Sequence, residues 1–167
     1  MAILVALSLV VGLGAGAIAA ESKVLGTHRD WEAYQLVEKG KKTCYMASQP
    51  IKTVGKYKKR GDVVVFVTHR PADKERDIIN FHAGYKYKLD STVEVAIGRR
   101  KFKLFTKGDT AWALTAADEQ AMVKSMIKGN RMTVRGTSQR GTRTTDTYSL
   151  RGFSRIYRRI NKACGIK

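Results

Sequence analysis

Short segments of alternating apolar and polar residues recur along most of the chain, with turn residues between them. This period of two is typical of antiparallel strands, because successive side chains of a strand project to opposite faces of the sheet. The unbroken apolar run at residues 63–67 indicates a central strand covered on both faces, whereas residues 101–105 alternate as a half-exposed strand does. The pattern predicts strands at residues 31–37, 43–48, 63–68, 78–83, 92–97, 101–105, 111–114, 132–136 and 145–150.

Two segments have helical spacing instead. Residues 115–128 open with Thr-Ala-Ala-Asp, similar to a capping box, and stop before Gly129. In residues 153–164 the apolar positions follow the spacing of one helical face: Phe153, Ile156, Tyr157, Ile160 and Cys164. The polar stretch 138–143 between two strands predicts a hairpin loop, with a glycine for positive φ.

The opposite face of the second helix is cationic, and it carries Arg151, Arg155, Arg158, Arg159 and Lys162. If the apolar face packs on the sheet, this basic face is solvated; if the helix can detach, it becomes a membrane-surface element. We therefore expect a mainly β protein, an antiparallel sandwich with two short helices, one of them C-terminal, in a single domain at residues 21–167.

Residues 2–20 carry no charge and end in the small-x-small sequence Ala17-Ile18-Ala19. This combination predicts a signal peptide at residues 1–20, cleaved after Ala19 or Ala20. An uncleaved membrane anchor is the alternative, since an uncharged run of this length could span a bilayer.

The chain has two cysteines, Cys44 and Cys164. An even number in an exported chain favours one structural disulfide between them. The bond would fasten the C-terminal helix to a strand near the start of the domain.

All 32 lysines and arginines follow the predicted signal, and the formal net charge is +18. Such a charge selects anionic partners outside the cytoplasm, or it serves only for solubility. We interpret Arg151, Arg155, Arg158 and Arg159 as part of an anion-binding surface. Further basic clusters accompany aromatic residues, among them Tyr57, Tyr85 and Tyr87, and such combinations can grip a phosphorylated sugar or a nucleic-acid strand.

No catalytic motif stands out. None of His28, His69 and His82 has a second His, Cys or carboxylate at a metal-ligand spacing, and the chain contains no Gly-x-Ser-x-Gly, phosphate loop or Cys-x-x-Cys. We expect a protein that is not an enzyme and that carries no metal or cofactor.

Several segments resemble the invasion-associated locus B family of alphaproteobacteria. The early similarity lies in Trp31 and in the cysteine-containing strand at residues 44–50. The similarity in the second half covers residues 109–113, 126–129, 140–142 and 145–150, Gly152-Phe153 and Ala163-Cys164. The resemblance implies an immunoglobulin-like β-sandwich in the periplasm or cell envelope, without a recognised catalytic site, in a family linked to host-cell invasion in some pathogens.

Three functions follow as hypotheses. The first is a non-enzymatic periplasmic or outer-membrane-associated protein that binds lipopolysaccharide, phospholipid or an envelope protein, with no specific nucleic acid as partner. The second is a secreted factor that acts on host-cell surfaces, and the third is a hydrolase with an unrecognised site.

Overall fold

The computed structural model describes residues 21–166, so the predicted signal peptide at residues 1–20 lies outside the described residues. Helix α1 is Ala116–Lys128 and helix α2 is Phe153–Cys164, and a 3-10 turn occupies Pro71–Asp73. The strands are β1 (Glu21–His28), β2 (Trp31–Glu38), β3 (Lys41–Ser48), β4 (Lys52–Gly55), β5 (Val64–Arg70), β6 (Glu75–His82), β7 (Thr92–Ile97), β8 (Arg100–Lys107), β9 (Thr110–Trp112), β10 (Arg131–Thr137) and β11 (Arg143–Ser149).

These strands form one continuous antiparallel sheet, in the order β1-β2-β3-β5-β6-β9-β8-β7-β10-β11-β4. The sheet folds over, because strands far apart in this order touch through their inner side chains. The indole Nε1 of Trp31 in β2 donates to the carbonyl of Ser149 in β11 at 3.0 Å. The ring of Phe81 in β6 packs 6.2 Å from that of Tyr148 in β11. A sandwich is consistent with this folded sheet.

The inner face of the sheet and the two helices enclose a single hydrophobic core. Helix α2 packs on β1, β2 and β3, while α1 packs on β6 and β8. Phe153 of α2 meets Trp31 edge-on at 4.9 Å, and both side chains are fully buried. Burial of one such side chain stabilises the fold by about 1.5–3 kcal/mol, so this contact fixes α2 against the sheet.

The mainly β class, the antiparallel pairing and both predicted helices are confirmed. Helix α2 has the predicted bounds, and α1 begins after Thr115, whose Oγ1 accepts the backbone N–H of Asp118 at 3.1 Å. Every predicted strand is present, with ends that shift by a few residues. The predicted loop at residues 138–143 does connect β10 to β11, and Gly141 there has φ +81°.

Two strands were not predicted, and one prediction about burial is only half right. Strand β1 has little apolar alternation, and all four residues of β4 are exposed. Strand β5 does lie in the middle of its half of the sheet, between β3 and β6. Val65 and Val67 on its inner face are fully buried, but Val64 and Phe66 on the outer face are only half-buried.

The predicted disulfide between Cys44 and Cys164 is present, with a Cα–Cα distance of 5.9 Å. It joins β3 to the last residue of α2, and both cysteines are buried. The C-terminal helix is therefore fastened covalently at its end and by Phe153 at its beginning.

Candidate functional site

Helix α2 exposes a row of arginines on the side that faces away from the core. Arg155 and Arg158 are exposed on this side of α2, and Arg151, in the turn that precedes the helix, is exposed as well. We call these three side chains the arginine face. The apolar residues opposite are buried, so the structure places α2 on the sheet rather than detached from it.

The fourth predicted residue, Arg159, has a different role. Its Nη1 donates to the carbonyl of Leu25 in β1 at 3.3 Å, and its side chain is half-buried. Gly26 allows this approach: its φ is +128°, and a Cβ there would lie 2.0 Å from Arg159 Nη1. Arg159 therefore fastens β1 to α2, and its part in the predicted anion-binding surface stays a prediction.

The arginine face lies beside further positive charge. Gly152, at the start of α2, touches the turn between β1 and β2, since a Cβ there would lie 2.2 Å from the carbonyl oxygen of His28. Desolvation lowers the pKa of His28, and the charges of Arg155, Arg29 and Arg159 lower it further. The sequence does not indicate that these charges are neighbours, because the β1–β2 turn and helix α2 lie far apart in the chain.

No carboxylate of the described residues forms a salt bridge with the arginine face. Some exposed cations elsewhere on the surface are paired, for example Lys41 with Asp73 at 3.1 Å and Arg70 with Glu75 at 3.0 Å. An uncompensated group of guanidinium ions attracts phosphate and carboxylate groups, which it can bind through charge-assisted hydrogen bonds.

The tyrosines that accompany basic clusters in the sequence lie elsewhere. Tyr87 is buried and Tyr85 is half-buried, where its ring packs 5.0 Å from the Arg60 guanidinium. Arg60 in turn forms two hydrogen bonds with Asp146, at 2.7 and 2.6 Å. Tyr85 and Tyr87 therefore do not present their rings to a ligand, whereas Tyr57, whose ring lies 5.4 Å from the Arg60 guanidinium, is 36% exposed.

His69 belongs to a buried hydrogen-bond network. The backbone N–H of Asp77 donates to its Nδ1 at 3.0 Å, so Nε2 carries the proton and donates to Asn161 Oδ1 at 2.7 Å. Burial lowers the pKa of His69. Asp77 also accepts a hydrogen bond from the Tyr157 hydroxyl at 2.7 Å. With its side chain fully buried, the imidazole does not reach a molecule in solvent.

Within residues 21–166, no group of three His, Cys, Asp or Glu side chains is placed to hold a metal ion. Among the same residues, no helix is both long enough and apolar enough to cross a membrane.

Comparison with known proteins gives one match. A family model described as "Invasion associated locus B (IalB) protein" matches residues 31–161. The matched segment begins at the first residue of β2 and includes Cys44 and the arginine face, but it ends before Cys164. No significant match was found among curated proteins or among solved structures.

Proposed function

The chain belongs to the invasion associated locus B (IalB) family, and we propose that it is a non-enzymatic protein of the cell envelope that binds anionic envelope components through the arginine face of α2. The candidate components are the phosphate groups of lipopolysaccharide and of anionic phospholipids. The observation that carries the proposal is the exposure of Arg151, Arg155 and Arg158 without a salt bridge to any described carboxylate.

Rigid placement supports this function. The disulfide at Cys164 and the buried ring of Phe153 hold the two ends of α2 on the sheet. The guanidinium groups are therefore presented on a fixed backbone, so ordering the helix costs no free energy on binding. A flat, rigid row of cations suits a surface that carries many phosphates better than it suits a deep, enclosed ligand.

The predicted export of the chain supports an anionic envelope component as its partner. The uncharged residues 2–20 with their small-x-small end predict a signal peptide, and a disulfide is stable in an oxidising compartment. We therefore propose a periplasmic or outer-membrane-associated location. Protein recovered mainly from the culture medium would favour the secreted alternative instead.

The direct test is sedimentation of the mature protein with vesicles of phosphatidylglycerol and phosphatidylethanolamine, at several salt concentrations. Each basic residue near an anionic membrane contributes about 1 kcal/mol to binding. The triple variant R151Q/R155Q/R158Q should therefore bind these vesicles roughly 100-fold more weakly than the wild type.

The matched control removes the same charge from another surface. Lys56, Lys58 and Lys59 are exposed in the loop between β4 and β5, so K56Q/K58Q/K59Q changes the net charge equally. This control should weaken binding by less than about threefold, since its lysines do not belong to the proposed surface. Equal losses in both triple variants would show that only the total charge matters and would reject the arginine face as a site.

A further inference from the structure

One row of directly paired residues crosses six strands on the outer face of the sheet. Cross-strand partners project to the same face, and the residues on either side of this row, such as Val65 and Ile79, point into the core. From β2 to β8 the row consists of Glu32, Ala47, Phe66, Asn80, Trp112 and Phe105.

Aromatic side chains from adjoining positions extend this row. The rings of Tyr34 and Tyr45 stack at 5.0 Å, Tyr45 lies 6.1 Å from Phe66, and Phe66 lies 5.5 Å from His82. Six strands span about 24 Å at the usual spacing of about 4.8 Å. We call this surface the aromatic stripe; its members are Tyr34, Tyr45, Phe66, His82, Trp112 and Phe105.

The stripe is open to solvent and partly concave. All its side chains are half-buried except Phe105, which is 42% exposed. An open groove of about 680 Å³ runs beside Tyr34, Tyr45 and Phe66. This volume falls within the range of pockets that hold small ligands, which combine apolar walls with a few polar groups.

Asn80 provides such a polar group in the middle of the stripe. It pairs with Phe66 on one side and with Trp112 on the other. Only 9% of the residue is exposed, and its Oδ1 has no hydrogen-bond partner among the described residues. Buried acceptors are rarely left unpaired, but less than 1 Å² of this oxygen is exposed, so a ligand hydroxyl donates to it only after neighbouring side chains of the stripe move.

The two ends of the stripe differ in charge. Lys103 and Lys107 flank Phe105 on the same face of β8, and neither forms a salt bridge with a described carboxylate. At the β2 end, the groove is lined by the carboxylates of Asp30 and Glu32 and by Arg29, so the charge there is mixed. A suitable ligand is therefore long, with hydroxyl donors toward one end and an anionic group toward the other.

We propose that the aromatic stripe binds an anionic glycan, a chain of sugar rings that carries phosphate or carboxylate groups. The apolar faces of sugar rings pack on the aromatic side chains, and their hydroxyls donate to Asn80 Oδ1 and to the carboxylates of Asp30 and Glu32. Lys103 and Lys107 pair with the anionic group. A single-stranded nucleic acid also stacks on aromatic rings, but its regular phosphates would meet the two carboxylates.

This site is distinct from the arginine face. Helix α2 packs on the inner side of β2 and β3, against residues such as Cys44, whereas Tyr34 and Tyr45 project from the outer side of the same strands. Binding at the stripe does not depend on the function proposed above, because it uses different side chains. The two surfaces adjoin at the β1–β2 turn, where Arg29 and Asp30 line the groove and Gly152 lies against Arg29.

The test is calorimetric titration of the mature protein with two anionic glycans: an alginate hexasaccharide, which carries carboxylates, and delipidated lipopolysaccharide core oligosaccharide, which carries phosphates. The difference between them identifies the preferred anionic group. We expect at least one to bind, and we expect Y45A, W112A and N80A each to weaken that binding at least tenfold. K103Q/K107Q should weaken it and reduce its salt dependence.

Three control variants show whether a loss of binding is specific to the aromatic stripe. L89A removes an apolar side chain that is 84% exposed outside the stripe, and K86Q/K88Q removes two exposed lysines outside it; both should bind within twofold of the wild type. R151Q/R155Q/R158Q should also bind the glycan within threefold, even if it no longer binds vesicles. Thermal unfolding of each variant checks the fold, and K103Q/K107Q changes only exposed side chains.

Several outcomes would overturn the proposal. These are the absence of binding by both glycans, binding that Y45A and W112A leave unchanged, and binding that the arginine variant abolishes. Tighter binding of a dodecathymidylate that depends on the same aromatic residues would replace the glycan with a nucleic acid.

Discussion

Arg60 and Asp146, which are 86 residues apart in the chain, form a two-armed salt bridge in which both side chains are almost completely buried. Arg60 also donates from Nε to the carbonyl of Ala83 at 2.7 Å. Burial lowers the pKa of Arg60, but the hydrogen bonds and charge of Asp146 more than compensate, so the guanidinium stays charged. The pair ties the loop after β4 to β11 and to the segment after β6.

Removal of one partner should therefore be costly. D146A leaves a buried guanidinium without its counterion and should lower the free energy of unfolding by about 3–5 kcal/mol. The exposed pair of Lys41 with Asp73 serves as the matched control, and D73A should cost less than about 1 kcal/mol. Urea unfolding of both variants measures the difference, and similar losses would show that burial does not strengthen the Arg60 pair.

The disulfide gives a second prediction. It closes a loop with a sequence separation of 120, and its loss should cost up to about 4–5 kcal/mol in the chain-entropy model. Wild-type protein should unfold at lower urea in the presence of a reductant. The double variant C44S/C164S should unfold at low urea whether or not the reductant is present. A wild-type transition that reductant does not move would contradict this account of α2.

The buried His69 predicts that the stability of the fold decreases as the pH is lowered. Burial lowers its pKa in the folded state below the value of 6.5 that it has when unfolded. Its contribution to stability is complete above pH 6.5 and is lost as the pH falls from 6.5 toward the folded pKa, because only the unfolded state gains the proton. H69Q should be less stable than wild type at pH 7.5, and the difference should shrink toward pH 5. A constant difference would show that protonation of His69 is not involved.

Glu119 predicts the opposite dependence of folding stability on pH. Burial raises its pKa to about 7, and the charges of Asp77, Glu75 and Asp118 support this shift against the hydrogen bond from the Ile79 N–H. Its protonated form stabilises the fold below pH 4.5, and this contribution is lost as the pH rises through 7. E119Q should be more stable than wild type at pH 8 by about 1–2 kcal/mol, after allowance for partial exposure, with little difference at pH 4.5. Equal stability of the two proteins at pH 8 would argue against a raised pKa.

Local patterns were sufficient for much of the fold. The apolar spacing of α2 predicted both of its ends, since a helix of regular period packs one face on a core. The disulfide followed from the even number of cysteines in a chain with a predicted signal peptide, and the spacing that places Cys164 on the buried face agrees with it. Strand β4 escaped prediction because its four residues are exposed and no apolar alternation marks them.

The candidate sites were harder to predict. Tyr85 and Tyr87 occur beside lysines, and only the fold shows that their rings turn toward Arg60 or into the core. Arg60 and Asp146 each look like ordinary surface charges in the sequence. The aromatic stripe could not be recognised, because its members come from six strands and the register between strands is not visible in a single sequence.

The most direct test of the envelope-binding account is fractionation of cells that produce the full chain, with intact-mass analysis of the recovered protein. The account predicts that the recovered protein lacks residues 1–20 and has a mass two hydrogens below that of the reduced mature chain. It should occur in the envelope fraction and be released by salt. R151Q/R155Q/R158Q should already be soluble in the periplasm at low salt, and K56Q/K58Q/K59Q should stay bound. Recovery of a full-length protein with free thiols, or equal retention of the two variants, would contradict it.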